Sequence, residues 1–320
     1  MSNIHAKTAE SDGPIGEVTS WERGRSRERP TLSEAQAYCR RLAQTHYENF
    51  TVASWLLPKD LRQHFANIYA FCRCADDLAD ETGDPQRSLA LLDAWEDQLA
   101  CCFAGESEHP VFVALADTVK EYSIPIAPFQ ELLSAFRQDQ TVTRYETLAE
   151  LLDYCRRSAN PVGRLVLHLG RCCTPENAAL SDSVCTGLQL VNFWQDVARD
   201  WQECGRLYLP TETMERHGID EQTIAQGQTT TAFREAIAAE VSRAEDFLNA
   251  GWPLVASVAP ELRIDVELFI RGGLAVAQAI RRSDFDVLRR RPTVSKHTKL
   301  RLLAATWWRQ RVLRRYNAVP

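Results

Sequence analysis

The sequence predicts an all-α protein, on three observations. Apolar residues recur every three to four positions over long stretches. Proline, glycine and capping-box patterns punctuate those stretches at spacings that suit helices. No segment alternates apolar and polar residues as a half-buried strand would, and no internal repeat of fixed period is found.

Residues 1–30 are polar and rich in Gly, Ser and Arg, which predicts a disordered N-terminal tail. One helical domain is expected over residues 31–320. It begins at Thr31-Leu32-Ser33-Glu34, which has capping-box spacing. Pro58 suits the first turn of a helix that runs through Phe65, Tyr69 and Cys72 to about Asp80, where Gly83 and Pro85 punctuate it. Helical segments are then expected over 86–103, 111–121, 128–139 and 148–159, the last after a second capping box from Thr147 to Glu150. Asn160-Pro161-Val162-Gly163 should break or kink that helix, because proline lacks the backbone donor and clashes with the preceding turn. A helix from about Glu176 to Glu203 follows, stopped by Gly205. Later helices fit 230–258, 261–290 and 296–315, separated by Pro260 and Pro292.

The composition, 45% hydrophobic and 25% charged, is that of a globular protein with a substantial core. A net charge of −6 argues against nucleic acid as a partner. The charge is uneven: Arg281–Arg315 holds 12 Lys/Arg against Asp284 and Asp286. This basic segment, with Trp307 and Trp308, reads either as a helix packed on the body or as a peripheral contact with the inner face of an anionic membrane. The ten cysteines include no CxxC pair, so neither a zinc site nor a disulfide scaffold is expected. With no secretory signal and no apolar run long enough to span a bilayer, a cytoplasmic protein is expected.

Two acidic clusters carry the chemistry. In Arg73-Cys74-Ala75-Asp76-Asp77-Leu78-Ala79-Asp80-Glu81, Asp76 and Asp80 lie four apart and project from one helix face, where two like charges repel. A divalent cation would turn that repulsion into attraction. In the second cluster Gln189, Asn192, Asp196 and Asp200 make a polar stripe on an otherwise apolar helix. Such side chains are costly there unless they have partners or line a wet cavity. Mg²⁺ prefers oxygen ligands and commonly bridges one or two carboxylates to phosphates, so two such arrays facing each other would hold a metal–diphosphate. A di-iron carboxylate centre would need paired ExxH motifs on core helices, and only Glu106–His109 has the spacing, in a Gly/Ser/Pro loop.

Taken together and in order, these segments resemble the squalene/phytoene synthase family over about residues 33–292. His46-Tyr47-Glu48-Asn49-Phe50 resembles its early diphosphate-contacting segment. Tyr69 through Asp80 is similar to its first aspartate-rich motif, Tyr154 through Gly163 to the kinked helix beside its reaction cavity, Gln189 through Asp200 to its second aspartate-rich motif, and Gly205-Arg206-Leu207-Tyr208-Leu209-Pro210 to its signature tail. The resemblance implies a helical terpenoid-synthase fold, Mg²⁺, and farnesyl diphosphate or presqualene diphosphate as substrate. It implies metal ligation by Asp76, Asp80, Asp196 and Asp200, and diphosphate contacts from His46, Asn49, Arg73, Gln189, Asn192, Arg206 and Tyr208.

Three departures narrow the reading. Tyr47-Glu48-Asn49-Phe50 stands where relatives often carry Ser-Lys-Ser-Phe, Ala159-Asn160-Pro161-Val162-Gly163 where they read Ala-Gly-x-Val-Gly, and Gln195-Asp196 where Arg-Asp opens the second motif. Losing cations near the phosphates weighs against condensation of two prenyl diphosphates. Glu48 through Pro58, together with Ser158 through Arg164, resemble the bacterial hydroxysqualene synthase branch of hopanoid biosynthesis, a lyase that adds water and needs no NAD(P)H. That resemblance implies other squalene-pathway enzymes as partners, and condensation of two farnesyl diphosphates or a phytoene-type reaction is the alternative. Asn160 would either place the quenching water or satisfy backbone groups freed by Pro161. Phe50, Tyr69, Phe71, Phe129, Phe136, Phe193 and Trp194 read either as core or as an aromatic lining that stabilises a carbocation, Tyr69 and Phe50 being the catalytic candidates.

Overall fold

The computed structural model describes residues 29–45 and 59–310, and their contacts cluster into two compact units, one of residues 29–45 and 59–141 and the other of residues 142–310. The fold is all-α, and the described residues contain a single isolated bridge, Arg144 to Leu207. In chain order the helices of the first unit are α1 (Leu32–Thr45), α2 (Lys59–Asp80), α3 (Pro85–Ala104), α4 (Pro110–Tyr122) and α5 (Ala127–Gln138). Those of the second are α6 (Leu148–Ser158), α7 (Asn160–Leu169), α8 (Pro175–Cys204), α9 (Thr211–His217), α10 (Glu221–Ala225), α11 (Thr231–Ala250), α12 (Leu254–Ser257), α13 (Arg263–Arg282) and α14 (Lys296–Trp308).

Local chemistry sets many of these ends. At α1 the capping box forms: the Glu34 backbone N–H donates to Thr31 Oγ1, and the Thr31 N–H donates to Glu34 Oε2 at 2.9 Å. Asp84 caps α3 by accepting from the Gln86 and Arg87 N–H groups, and Gly105 ends it in the left-handed region. In the first unit, α2 packs on α1, α3, α4 and α5. Its core is aromatic: Phe71 stacks on Trp95 and meets Phe112 and Phe129 edge-on, with all four rings fully buried. Phe71 and Phe129 are thus core residues of this unit. His109 lies beside them as the cap of α4, its Nδ1 accepting from the Val111 N–H at 3.2 Å. Burial pushes its pKa down to about 3, so the ring stays neutral.

In the second unit the 30-residue α8 packs against α6, α7, α11 and α13. Its approach to α11 depends on Gly187, where a Cβ would lie 2.9 Å from the Leu248 backbone nitrogen. The stretch expected as one helix over 230–258 is divided at Gly251–Pro253 into α11 and α12. The stretch 261–290 ends as a helix at Arg282, where Asp284 and Phe285 adopt left-handed backbone. An ion pair from Arg234 to Asp284 and a 2.5 Å bond from Thr229 to Asp286 hold that turn. All ten cysteines are free, and no described helix is long and apolar enough to cross a membrane.

One core group in this unit has a pH consequence. Asp265, in the first turn of α13, is 4% exposed, and neither carboxyl oxygen has a hydrogen-bond partner. Burial raises its pKa to about 7. The folded state therefore holds a proton that the unfolded chain releases near pH 4. The contribution of Asp265 to stability is full below that pH and is lost as pH rises to about 7. Asp265→Asn should flatten this slope and stabilise the protein at pH 8 by about 2–4 kcal/mol, read from urea denaturation at pH 5 and pH 8.

Candidate active site

The first acidic array lies in the closing turns of α2, where the helix dipole is negative and the last turn holds no basic residue. Asp76 and Asp80 reach the surface one turn apart, whereas Asp77 is buried. Arg73 lies one turn earlier and is engaged with its own helix. Its Nη1 donates to Asp76 Oδ2 at 3.0 Å, a second nitrogen pairs with Asp77, and Glu81 lies 3.6 Å away. Burial, with Glu81 and Asp76 close by, holds the Asp77 pKa up at about 7 despite the Arg73 charge. Tyr69 precedes Arg73 by a further turn and is half-buried, which raises its hydroxyl pKa.

The second array lies in the last turns of α8, again at a helix end with no basic residue in its final turn. Gln189 is half-buried, Asn192 exposed, Asp196 buried and Asp200 half-buried. Asp196 is held in a two-pronged ion pair by Arg291, whose Nη2 donates to Asp196 Oδ2 at 2.9 Å and to Gln195 Oε1 at 3.2 Å. Gln195 Nε2 donates to the Pro292 carbonyl at 2.5 Å, so both motif residues grip the same turn. Asp200 has its pKa raised to about 7, chiefly by burial and then by the neighbouring Asp196 charge.

The segment after α8 is fixed by the backbone. Gly205 closes the helix with φ near +63°, the Leu207 N–H donates to the Thr143 carbonyl at 2.9 Å, and the Thr211 N–H to the Tyr145 carbonyl. Arg144 clasps the turn from outside. It donates to the Gly205 carbonyl at 2.6 Å, pairs with Glu221 and covers the Trp201 ring. This aims Tyr208 at Phe193 of α8, with ring centroids 3.8 Å apart and nearly parallel, and Tyr154 and Tyr145 stack beside it. Arg206, half-buried, lies on the same turn near Asp200 and lowers its pKa. Phe193 therefore joins an aromatic wall, whereas Trp194 is fully buried core.

Pro161 starts a helix of its own: α6 stops at Ser158, and α7 begins at Asn160 with the proline in its first turn. Asn160 is 5% exposed, and its Oδ1 accepts a 3.0 Å hydrogen bond from Thr186 Oγ1 of α8. That bond ties α7 to α8 through side chains and leaves the α7 terminus without a side-chain cap. Three residues named from the sequence, His46, Asn49 and Phe50, lie outside the described residues. Arg291, Arg144 and Thr186 belong to this neighbourhood and were missed by sequence reasoning. The basic run Arg289-Arg290-Arg291 was visible, but nothing in it marks which arginine turns toward α8.

Among the described residues no three His, Cys, Asp or Glu converge tightly enough to hold a metal ion by themselves. Each array offers two carboxylates four residues apart at the negative end of a helix. An oxygen-only donor set that needs phosphate and water oxygens to complete it fits Mg²⁺ better than Zn²⁺.

The family model for squalene/phytoene synthase matches residues 43–298, spanning both arrays and the Gly205–Pro210 turn. The chain belongs to the squalene/phytoene synthase family. It is 44% identical in sequence to the crystal structure of squalene synthase HpnC from Alicyclobacillus acidocaldarius, with a TM-score of 0.76 over 79% of this chain and 95% of that one. It is 35% identical to hydroxysqualene synthase of Rhodopseudomonas palustris over 72% of this chain and 78% of that protein. It is 30% identical to 15-cis-phytoene synthase of Synechococcus elongatus over 90% of this chain and 97% of that protein. As a squalene/phytoene synthase family member it is an isoprenoid synthase acting on prenyl diphosphates.

Proposed function

We propose that this family member converts presqualene diphosphate and water to hydroxysqualene and diphosphate, as a Mg²⁺-dependent lyase of hopanoid biosynthesis. The observation that carries the reading is the identity of 35% to a hydroxysqualene synthase over 72% of this chain, against 30% to the phytoene synthase over 90%; the 44% identity to a squalene synthase supports the squalene branch in general. In the reaction the bond from carbon to the diphosphate oxygen breaks and its electron pair leaves with the diphosphate. The cyclopropylcarbinyl cation rearranges, a water oxygen adds to it, and a proton is released, so no reductant such as NAD(P)H is consumed. Bound Mg²⁺ would neutralise charge on the departing diphosphate.

The chain's own groups divide the work. Asp76 and Asp80 on one helix, and Asp200 on the other, supply carboxylates for metal–diphosphate, and Asp196 does so once it is released from Arg291. Gln189, Asn192, Arg206 and the Tyr208 hydroxyl supply donors to phosphate oxygens, and Arg73 does so once it is released from Asp76. The half-buried Tyr208 ring, backed by Phe193 and Tyr154, would offer aromatic surface to positive charge. A second reading, condensation of two prenyl diphosphates, is favoured by the match to a phytoene synthase over 90% of this chain.

Incubation of the pure protein with Mg²⁺ and either presqualene diphosphate or farnesyl diphosphate, with and without NADPH, separates the readings. Hydroxysqualene from presqualene diphosphate, at the same rate without NADPH, is the expected product. Squalene formed only with NADPH, or turnover of farnesyl diphosphate alone to a condensed product, would sink the lyase assignment.

Asn160 provides a finer test. Its Nδ2 can orient water while Oδ1 is held by Thr186, so Asn160→Leu should keep diphosphate release but shift products from alcohol toward alkenes. Thr186→Val removes the same bond, at a cost of about 1 kcal/mol, and should leave the product ratio unchanged. Equal product ratios in both variants, measured with their melting temperatures, would reduce Asn160 to a structural tie.

A further inference from the structure

Helix α14 carries apolar side chains on the side that faces away from the protein. Its inner face is fixed: Thr306 is fully buried, Arg309 lies 3.4 Å from the buried Glu267 of α13, and Gln310 donates to the same carboxylate at 2.5 Å. The opposite side presents Leu300 (63% exposed), Ala304 and Trp308 (57% exposed) at four-residue spacing, with Trp307 (44% exposed) beside them. Exposed Lys296, Lys299 and Arg301 lie on the same helix, and exposed Arg289 and Arg290 precede it in the chain. From residue 287 to residue 320 the chain holds ten Lys/Arg and no Asp or Glu, although the whole protein carries a net charge of −6.

We propose that the outer face of α14 is a docking surface for an anionic lipid bilayer. Tryptophan rings suit the headgroup boundary because the indole is apolar with one polar N–H. Lys and Arg stems lie along apolar surface while their charges reach lipid phosphates. The local sign matters for the choice of occupant. A second copy of a net-negative chain would have to bring acids to this ridge, whereas a surface of anionic lipid supplies them everywhere. Docking here does not depend on which prenyl diphosphate is consumed.

Flotation of the full chain with vesicles of phosphatidylcholine, alone or mixed with phosphatidylglycerol, tests this together with tryptophan emission. Binding should be about ten-fold stronger to the mixed vesicles, blue-shift the emission and weaken as salt rises. Trp307→Ala with Trp308→Ala should lower it about ten-fold, and Lys296→Glu, Lys299→Glu and Arg301→Glu together should erase the preference for anionic lipid. Trp308→Ala alone, at an exposed position, keeps the test available if the double variant misfolds. Equal binding to both vesicle types, or unchanged binding by the variants, would overturn the proposal. So would light scattering that shows a dimer dispersed by Trp308→Ala with no vesicle binding.

Discussion

Asp200→Asn is expected to lower turnover about 10³-fold while the protein stays folded and no less stable. The lost carboxylate would otherwise help neutralise the leaving diphosphate, and several kcal/mol of charge stabilisation corresponds to about that factor in rate. Stability should not fall, because Asp200 is half-buried beside Asp196 and desolvation already disfavours its charge. The amide keeps the shape without the like charge four residues away. Asp76→Asn in the other array should lose activity to a similar degree. Diphosphate release and circular dichroism on the same preparations decide the matter. Turnover within about ten-fold of the parent in the Asp200 variant would remove it from the metal-binding set.

Arg291→Ala should destabilise the protein by about 2–3 kcal/mol, because it leaves Asp196 buried without its counter-charge. The figure falls below the about 3–5 kcal/mol typical of broken buried pairs, since Arg291 is itself nearly half exposed. Asp196→Asn in the Arg291→Ala background should restore most of the loss, and that return is the signature of the pair. Arg291→Lys should recover only part, because an ammonium cannot reproduce the two-pronged contact with Asp196 and the bond to Gln195. Urea denaturation of the parent, Arg291→Ala, Asp196→Asn and the double variant measures the coupling. If the double variant is no more stable than Arg291→Ala alone, the ion pair is not the reason Asp196 can be buried.

Short-range features were legible. The Thr31 capping box, the end of α2 at Asp80 and the Gly205 stop on α8 each depend on a few neighbouring residues, and each forms as the spacing predicts. Elements set by distant partners were not. Helices α9 and α10, between Thr211 and Ala225, are too short to show a helical period and are organised by Arg144 and Tyr145 from another part of the chain. The end of α13 at Arg282 depends on Arg234 reaching Asp284, which lets two non-glycine residues adopt left-handed backbone. Asn160 illustrates the same limit. Its place at a proline-opened helix was visible, but its bond to Thr186 was not, because 26 residues separate the two.

By itself, the sequence determined the helical class, most helix ends, the two acidic arrays and the family, since all of these follow from spacing along the chain. Tertiary structure alone decided which carboxylates are sheltered and which are paired. Asp76 and Asp77 are adjacent, yet Asp76 is only half-buried and Asp77 is buried; Asp196 and Asp200 are one turn apart, yet only Asp196 has Arg291. A carboxylate's charge state depends on how much water it retains and which cation reaches it, and that cation comes from 95 residues away.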